Sequence, residues 1–360
     1  MKKIDKILLL SVIILSLFGL LMIYSSSNIW AQYKFNDPYK YLKSQSIFLI
    51  LGYFIIYIFS KIDYPIYKKY SNTILIICLS LLILVLIPGI GSVRNGSRSW
   101  FGIGSFGIQP SEFAKLGLII FTSKYLSNNK IKNIKTSVLP ILTIVILIFG
   151  LIMLQPDFGT GVILVITIVA LLFISGVNMS FFVKIGLVGL IGIVILVIIA
   201  PYRLQRITSF LNPWNDPLGS GFQIIQSLYA IGPGGLLGMG LGNSIQKHFY
   251  LPEPQTDFIF SIISEELGFA GVLIISLLFI TIIYRGITIS LKQEDKFAKY
   301  LAFGISFSFA FQTILNLMVV VGLIPVTGVT LPFLSYGGSS LLVSMTSIGI
   351  LINVSKYNSK

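Results

Sequence analysis

The stretch Tyr250-Leu-Pro-Glu-Pro-Gln-Thr-Asp-Phe-Ile-Phe-Ser-Ile-Ile-Ser-Glu-Glu-Leu-Gly268 carries the longest polar segment of the chain back into a hydrophobic helix. It holds four of only twelve acidic residues: Glu253, Asp257, Glu265 and Glu266. A carboxylate at the edge of an apolar span, or inside it, is costly to desolvate and by default marks a functional position. Asp257, at that edge, is the leading candidate. At about 100° per residue, Ser261, Ser264, Glu265 and Gly268 lie within about 100° of one another on the side of Asp257. Glu266 lies about 180° away and is expected to be structural. The spacing predicts a polar stripe leading down from Asp257 along a water-accessible groove.

Around this stretch the chain is overwhelmingly apolar. A mean hydropathy of +0.92 with 11% charged residues excludes an ordinary soluble domain. Runs long enough to cross a bilayer recur at about 7–24, 45–60, 73–87, 109–126, 137–154, 160–175, 181–200, 258–283, 300–321 and 339–354. The expected fold is an all-α polytopic membrane protein of about ten spans, a single domain over residues 1–360. One long extracytoplasmic segment, at about 201–257, separates spans seven and eight. With the N-terminus inside, seventeen of the 26 basic residues fall in inner loops and tails and eight in outer loops. That bias places both termini in the cytoplasm. It also explains the net charge of +14 without nucleic acid, which is not an expected partner. The first apolar run reads as a retained signal anchor, because cleavage would turn the Lys-rich loops outward. The single cysteine, Cys78, lies in an apolar run and offers no disulfide framework.

Several polar groups punctuate the spans. Ile90–Gly107 is rich in Gly and Ser and has the spacing of a short twisted hairpin. Gln109-Pro-Ser-Glu112 opens span four, where Glu112 and Lys115 share a helix face and can neutralise each other. The pair either locks helix packing or lines a polar cavity. Gln155-Pro156-Asp157 echoes that motif, and Asp157 can cap span six. Arg203 and Arg206, at i and i+3, either snorkel to headgroups or clamp a diphosphate. Ser220-Gly-Phe-Gln223 has a capping-box spacing, and Phe222, Ile225, Leu228 and Tyr229 share one face of an amphipathic helix. The glycines of Ile231–Asn243 let backbone approach a ligand closely. Tyr24, Trp30, Tyr33, Tyr39 and Tyr41 read as an interfacial aromatic belt. Pro325, Pro332, Gly337 and Gly338 interrupt the last outer loop, which must therefore be buried in protein or line a cavity, facing the loop before span eight. No Walker A, GxSxG, HExxH or CxxC pattern is present.

Taken in order, these motifs resemble the SEDS family (shape, elongation, division and sporulation) over essentially the whole chain. The matching residues are Gln109-Pro-Ser-Glu-x-x-Lys115, Gln155-Pro-Asp-x-Gly-Thr160, Tyr202-Arg-x-x-Arg206, Asn212-Pro-Trp-x-Asp-Pro217, Leu251-Pro-Glu-x-x-Thr-Asp-Phe-Ile-Phe260, Glu265-Glu-x-Gly268 and Pro332-x-x-Ser-Tyr-Gly-Gly-Ser-Ser340. Within the family, Arg206-Ile-Thr-Ser-Phe210 and Pro325-Val-Thr-Gly-Val-Thr-Leu-Pro332 resemble the FtsW/SpoVE branch. Pro254-Gln255 departs from the Ala-His or Arg-His of many members and is similar to the sporulation form.

The resemblance implies a peptidoglycan glycosyltransferase that polymerises lipid II outside the cytoplasmic membrane, in division or sporulation septum synthesis. It implies Asp257 as the essential acid, and as partners a class B penicillin-binding protein and other divisome or sporulation proteins. Lipid II carries a polyprenyl tail, a diphosphate and a disaccharide-peptide. Its site needs apolar walls, interfacial cations and an acid–base group just outside. The expected set is Asp257 as general base, with Arg203, Arg206, Glu112, Lys115, Asp157, Glu265, Ser339 and Ser340 lining the diphosphate site or its cavity. A divalent cation, Mg2+ or Mn2+, held partly by Asp257 is the candidate cofactor. No organic cofactor is expected. A lipid II flippase, with the embedded Glu112, Lys115, Glu265 and Glu266 lining a path, is the first alternative. A non-catalytic scaffold of the wall-synthesis complex is the second. Whether the helix N-terminus lowers the Asp257 pKa or desolvation raises it is open at this stage.

Overall fold

The computed structural model describes residues 4–94, 96–102, 107–129, 134–199 and 201–357. Asp5 opens the first helix by accepting the Leu8 N–H at 3.0 Å, an N-cap that satisfies one of the donors left over at a helix start. From there the apolar runs fold as helices: α1 (Lys6–Phe35), α2 (Lys40–Lys61), α3 (Pro65–Leu86), α4 (Pro110–Asn128), α5 (Leu139–Met153), α6 (Phe158–Ile174) and α7 (Met179–Ile199). Two shorter helices follow, α8 (Pro201–Leu211) and α9 (Phe222–Ile231), then α10 (Ile259–Leu291), α11 (Lys296–Val320) and α12 (Gly338–Ser355). Pro65 and Pro110 sit in the first turns of α3 and α4, where a missing N–H costs nothing. The chain is thus an all-α polytopic membrane protein.

All but α8 and α9 of these helices coincide with the expected spans. Eight are long and apolar enough to cross a bilayer, among the described residues, α5 because a π-helical turn, Ile134–Val138, extends it back into an 18-residue helix, Thr136–Met153. The exceptions are α6, with 17 residues, and α4, whose 19 residues include Glu112 and Lys115. α12 is the most enclosed helix, against α2, α4 and α11, whereas α7 stands at the periphery. At one end Arg285 pairs with Asp5 at 2.6 Å and the Asp5 N–H reaches the Ser355 hydroxyl at 3.3 Å. The ends of α1 and α12 therefore lie together, at the opposite end of α10 from Asp257. The expected hairpin forms as β1 (Ser92–Arg94) and β2 (Ser97–Trp100), antiparallel with Arg94 opposite Ser97.

Three features differ from the sequence expectation. The segment after α7 begins as helix α8, not as loop. Ser220 does not close a capping box: its N–H and hydroxyl both donate to Asp216, at 2.8 and 3.0 Å. α9 then buries Ile224, Ile225, Ser227 and Ala230, leaving Leu228 and Tyr229 exposed.

The third difference is a break in α10. Gly268 has φ 61° and ψ −161°, which only glycine adopts readily. A break in a membrane helix must find new partners for the freed backbone groups. The Gly-rich segment supplies them: the Met239 and Gly240 N–H groups donate to the Glu265 and Glu266 carbonyls at 2.9 Å, and the Phe269 and Ala270 N–H groups donate to Gly235 and Leu236 at 2.9 and 3.0 Å. A Cβ on Gly268 would lie 2.3 Å from the Gly238 nitrogen. Gly234 and Gly238 let that backbone pack directly against the broken helix, at the Ser264 and Glu266 carbonyls.

Candidate functional site

The last long loop, 321–337, sinks into the bundle, with Val326, Val329, Leu331, Phe333 and Leu334 buried. Its irregular backbone is satisfied by side chains of the helices around it. Gln312 and Asn316, four apart on α11 and so on one face, are both buried and both reach it. Gln312 donates to the Thr330 carbonyl at 2.9 Å; Asn316 donates at 2.8 Å to the carbonyls of both Val329 and Asp257. The Tyr336 N–H donates to the Gln255 carbonyl at 2.8 Å. The loops before α10 and α12 thus face one another, joined at the residue of interest.

Asp257 sits half-buried just ahead of α10 and accepts the Thr256 hydroxyl at 2.9 Å. Burial pushes its carboxyl up from the usual carboxylate range, and the charge of Glu253 adds to this. The Thr256 hydroxyl and the Arg206 guanidinium pull in the opposite direction without reversing the shift. Desolvation therefore prevails over the charge-stabilising groups. Arg206, exposed on α8, donates to the Val326 carbonyl at 2.9 Å and so stands on the same loop. The side chain of Arg203 lies outside the described residues. Backbone strain gathers here: Phe249, Glu253 and Phe333 all have positive φ, at 67°, 45° and 64°, an arrangement that costs roughly 1–3 kcal/mol each and tends to mark functional sites.

Below the loop, Glu112 and Lys115 form a buried ion pair at 3.0 Å, and Lys115 donates onward to Gln312 at 2.9 Å. A cavity of ≈ 30 Å³ lies beside them, bordered by Ser308, Phe309 and Ser344. That is room for roughly two water molecules. A polar ladder thus runs from Glu112 through Lys115 and Gln312 to Thr330 in the loop. Thr330 in turn meets the Ser340 hydroxyl at 3.1 Å. Gln312 and Asn316 were missed in the sequence. Their signal was available: two amides at helical spacing in an apolar span.

The other expected residues lie elsewhere. Asp157 caps α6 at the Thr160 N–H, 3.2 Å, and also accepts from Gln109 and Ser111 at 2.9 and 3.2 Å. The two Gln-Pro motifs therefore meet in space. Ser339 bridges the same corner, accepting the Gln109 N–H and donating to the Gly107 carbonyl, both at 2.9 Å. Glu265 is buried and engaged by the Ser244 hydroxyl and by the Ile245 N–H at 2.8 Å. Ser261 pairs with the Ser227 hydroxyl at 2.7 Å. The polar stripe below Asp257 is a docking face for the α9 region and residues 244–246, and not an open groove. Glu266, expected on the opposite side, reaches α1 but also accepts the Ser244 N–H at 3.4 Å, so it shares the 244–247 segment with Glu265. It accepts the Ser25 hydroxyl at 2.7 Å and pairs with Lys247 at 3.2 Å, all three buried.

Fold and site together define a polytopic helical membrane protein with an acid recessed at one end between two irregular loops. The chain belongs to the FtsW/RodA/SpoVE family of cell cycle proteins, which matches residues 5–360. It is 53% identical over 356 residues to stage V sporulation protein E of Bacillus subtilis, covering 98% of this chain and 97% of that one. It is 42% identical over 353 residues to the probable peptidoglycan glycosyltransferase FtsW of Trichlorobacter lovleyi, covering 98% and 93%. Among solved structures it resembles a chain of a peptidoglycan synthase complex in which polymerization and crosslinking are coordinated, with a TM-score of 0.80, 30% identity and 99% coverage of both chains. It also resembles the rod shape determining protein RodA of Thermus thermophilus, with a TM-score of 0.74, 26% identity, and coverage of 99% and 98%.

Proposed function

We propose that this chain is a peptidoglycan glycosyltransferase that polymerises lipid II on the outer face of the bacterial cytoplasmic membrane, at the septum in division or sporulation. The observation that carries the reading is the raised carboxyl of Asp257, recessed between two loops and within electrostatic reach of Arg206. A base gains strength when its charged form is disfavoured, and a positioned carboxylate can take the proton of an acceptor sugar hydroxyl as that oxygen attacks the donor's anomeric carbon. The bond to the diphosphate breaks in the same step, and the negative charge arriving on the departing diphosphate is met by Arg206, with Arg203 from the same helix.

Mg2+ or Mn2+ typically takes one or two carboxylates plus substrate phosphate oxygens. The electrostatically coupled carboxylates of Asp257 and Glu253 fit that demand, and a bound ion would supply further charge neutralisation at the diphosphate. Among the described residues no cluster of three or more metal-ligating side chains forms. The cavity at Glu112–Lys115, with room for about two waters, is far too small for a disaccharide-peptide, which weighs against a flippase path. The likeness to a synthase-complex chain supports a class B penicillin-binding protein as partner. The similarity to the stage V sporulation protein supports a sporulation role.

The test is polymerisation of purified lipid II in detergent by the wild type and by Asp257→Asn, with and without the transpeptidase and divalent cation. Loss of about 10²–10⁴-fold in rate in the variant is expected of a missing general base. A variant as fast as the wild type would refute the assignment.

A further inference from the structure

We propose that Trp30, Tyr33 and Phe249 form a platform for the saccharide chain being elongated, a binding site separate from the reacting centre. The proposal rests on the polymerase reading above. Trp30 and Tyr33 come from the end of α1, and Phe249 from the segment that leads to Asp257. Their rings meet edge-on: Trp30 to Phe249 at 5.7 Å and 63°, Tyr33 to Phe249 at 5.3 Å and 76°. Tyr33 is 77% exposed and Phe249 51%. Phe249 is held out by a backbone with φ 67°, so a strained residue keeps a large apolar ring in the open. An interfacial belt needs no such device.

Tyr33 and Phe249 border an open hollow of ≈ 450 Å³, which Asn28, Ile29, Gln32 and Pro38 complete, and Trp30 packs against both of these rings at its margin. That volume lies in the range of small-molecule sites. Apolar ring faces beside carboxamides suit a pyranose, which presents C–H groups on its faces and hydroxyls at its rim. The surroundings are cationic: the Lys34 ammonium lies 5.6 Å from the rings of both Trp30 and Phe35, and Lys40 lies 6.0 Å from Phe35. A glycan carrying peptide carboxylates complements that charge. The platform is also continuous with the reacting centre. Trp30 lies beside the Tyr41 hydroxyl, the Tyr41 ring lies 4.9 Å from Tyr336, and the Tyr336 N–H holds the Gln255 carbonyl, two residues before Asp257. A strand leaving the acid would meet these rings next.

The experiment uses the full chain in nanodiscs, carrying Asp257→Asn so that nothing turns over. The probe is a lipid-free octasaccharide of alternating N-acetylglucosamine and N-acetylmuramic acid with stem peptides. Trp30→Ala and Phe249→Ala are each expected to weaken its binding at least tenfold. Trp30→Phe should restore most of it, and Tyr39→Ala, whose ring stacks on Tyr24, should leave it unchanged. In the Asp257 background, the two alanine variants should also make shorter glycan from lipid II. Unchanged affinity in both alanine variants overturns the platform, as does an equal loss in Tyr39→Ala. Loss of transpeptidase co-purification with unchanged saccharide affinity assigns the surface to a protein and also overturns it. A wild type that does not polymerise lipid II refutes the enzyme reading whatever the saccharide affinity, so the two failures are distinguishable.

Discussion

The charge environment of Asp257 makes opposite predictions for its two neighbours. Because burial raises the carboxyl above its usual 3.8, the base is deprotonated only above that raised value, and activity should climb with pH through it. Glu253 raises the value and Arg206 lowers it. Glu253→Gln should therefore move the acid limb of the kcat/KM profile to lower pH, and Arg206→Gln should move it to higher pH. Equal shifts of one sign would contradict the geometry. The folded chain holds this proton more tightly than the unfolded chain, so Asp257 costs stability as pH rises from 3.8 through the raised value. Asp257→Asn is thus expected to raise Tm at neutral pH while abolishing activity, read by thermal unfolding in detergent at pH 7. A second residue-scale prediction concerns the buried ion pair. Lys115→Met leaves Glu112 charged and unpaired and should cost about 3–5 kcal/mol, whereas pairing it with Glu112→Leu should recover most of that. Asp257 was legible in the sequence because acids are scarce and it stands at an apolar boundary. The amides that hold its backbone and the facing loop, Gln312 and Asn316, were not, since their role depends on a loop that lies beside α11 only after folding.

Among the elements, α10 is the least ordinary. Its break costs little because backbone from residues 235–240 replaces the lost partners. Gly268→Ala would put a Cβ 2.3 Å from the Gly238 nitrogen at a φ that L-residues avoid, and should destabilise by roughly 2 kcal/mol or more. Thermal unfolding in detergent checks this; a fully wild-type Tm would mean that the break is not fixed by the Gly-rich segment. The spans of this fold were legible because a bilayer demands long apolar runs. The break was not, because an isolated glycine is tolerated in a helix and its partners lie some thirty residues upstream. The turn at Ser220 was misread for a local reason: Asp216, four residues earlier, competes for the same donors.

For the whole molecule, the shared end of α1 and α12 and the placement of Lys and Arg predict which face is which. Cysteine at Leu218, 89% exposed on the Asp257 side, should react with a membrane-impermeant maleimide in intact cells, and cysteine at Glu294 only after lysis. Native Cys78 is buried and should give little background. The reverse pattern would invert the chain and take Asp257 away from the outer face. Length adds a final consequence. As one continuous helix, 33 residues would extend about 50 Å, well beyond a hydrocarbon layer of about 30 Å. The turn at Gly268 divides that excess: Phe269 to Leu291 alone measures about 35 Å, a near match to the lipid. The piece from Ile259 to Leu267 is thereby released from the task of crossing and can be oriented by the segment above it. The bilayer's thickness thus bears on the lower part of α10 and leaves the acid's immediate support to protein contacts.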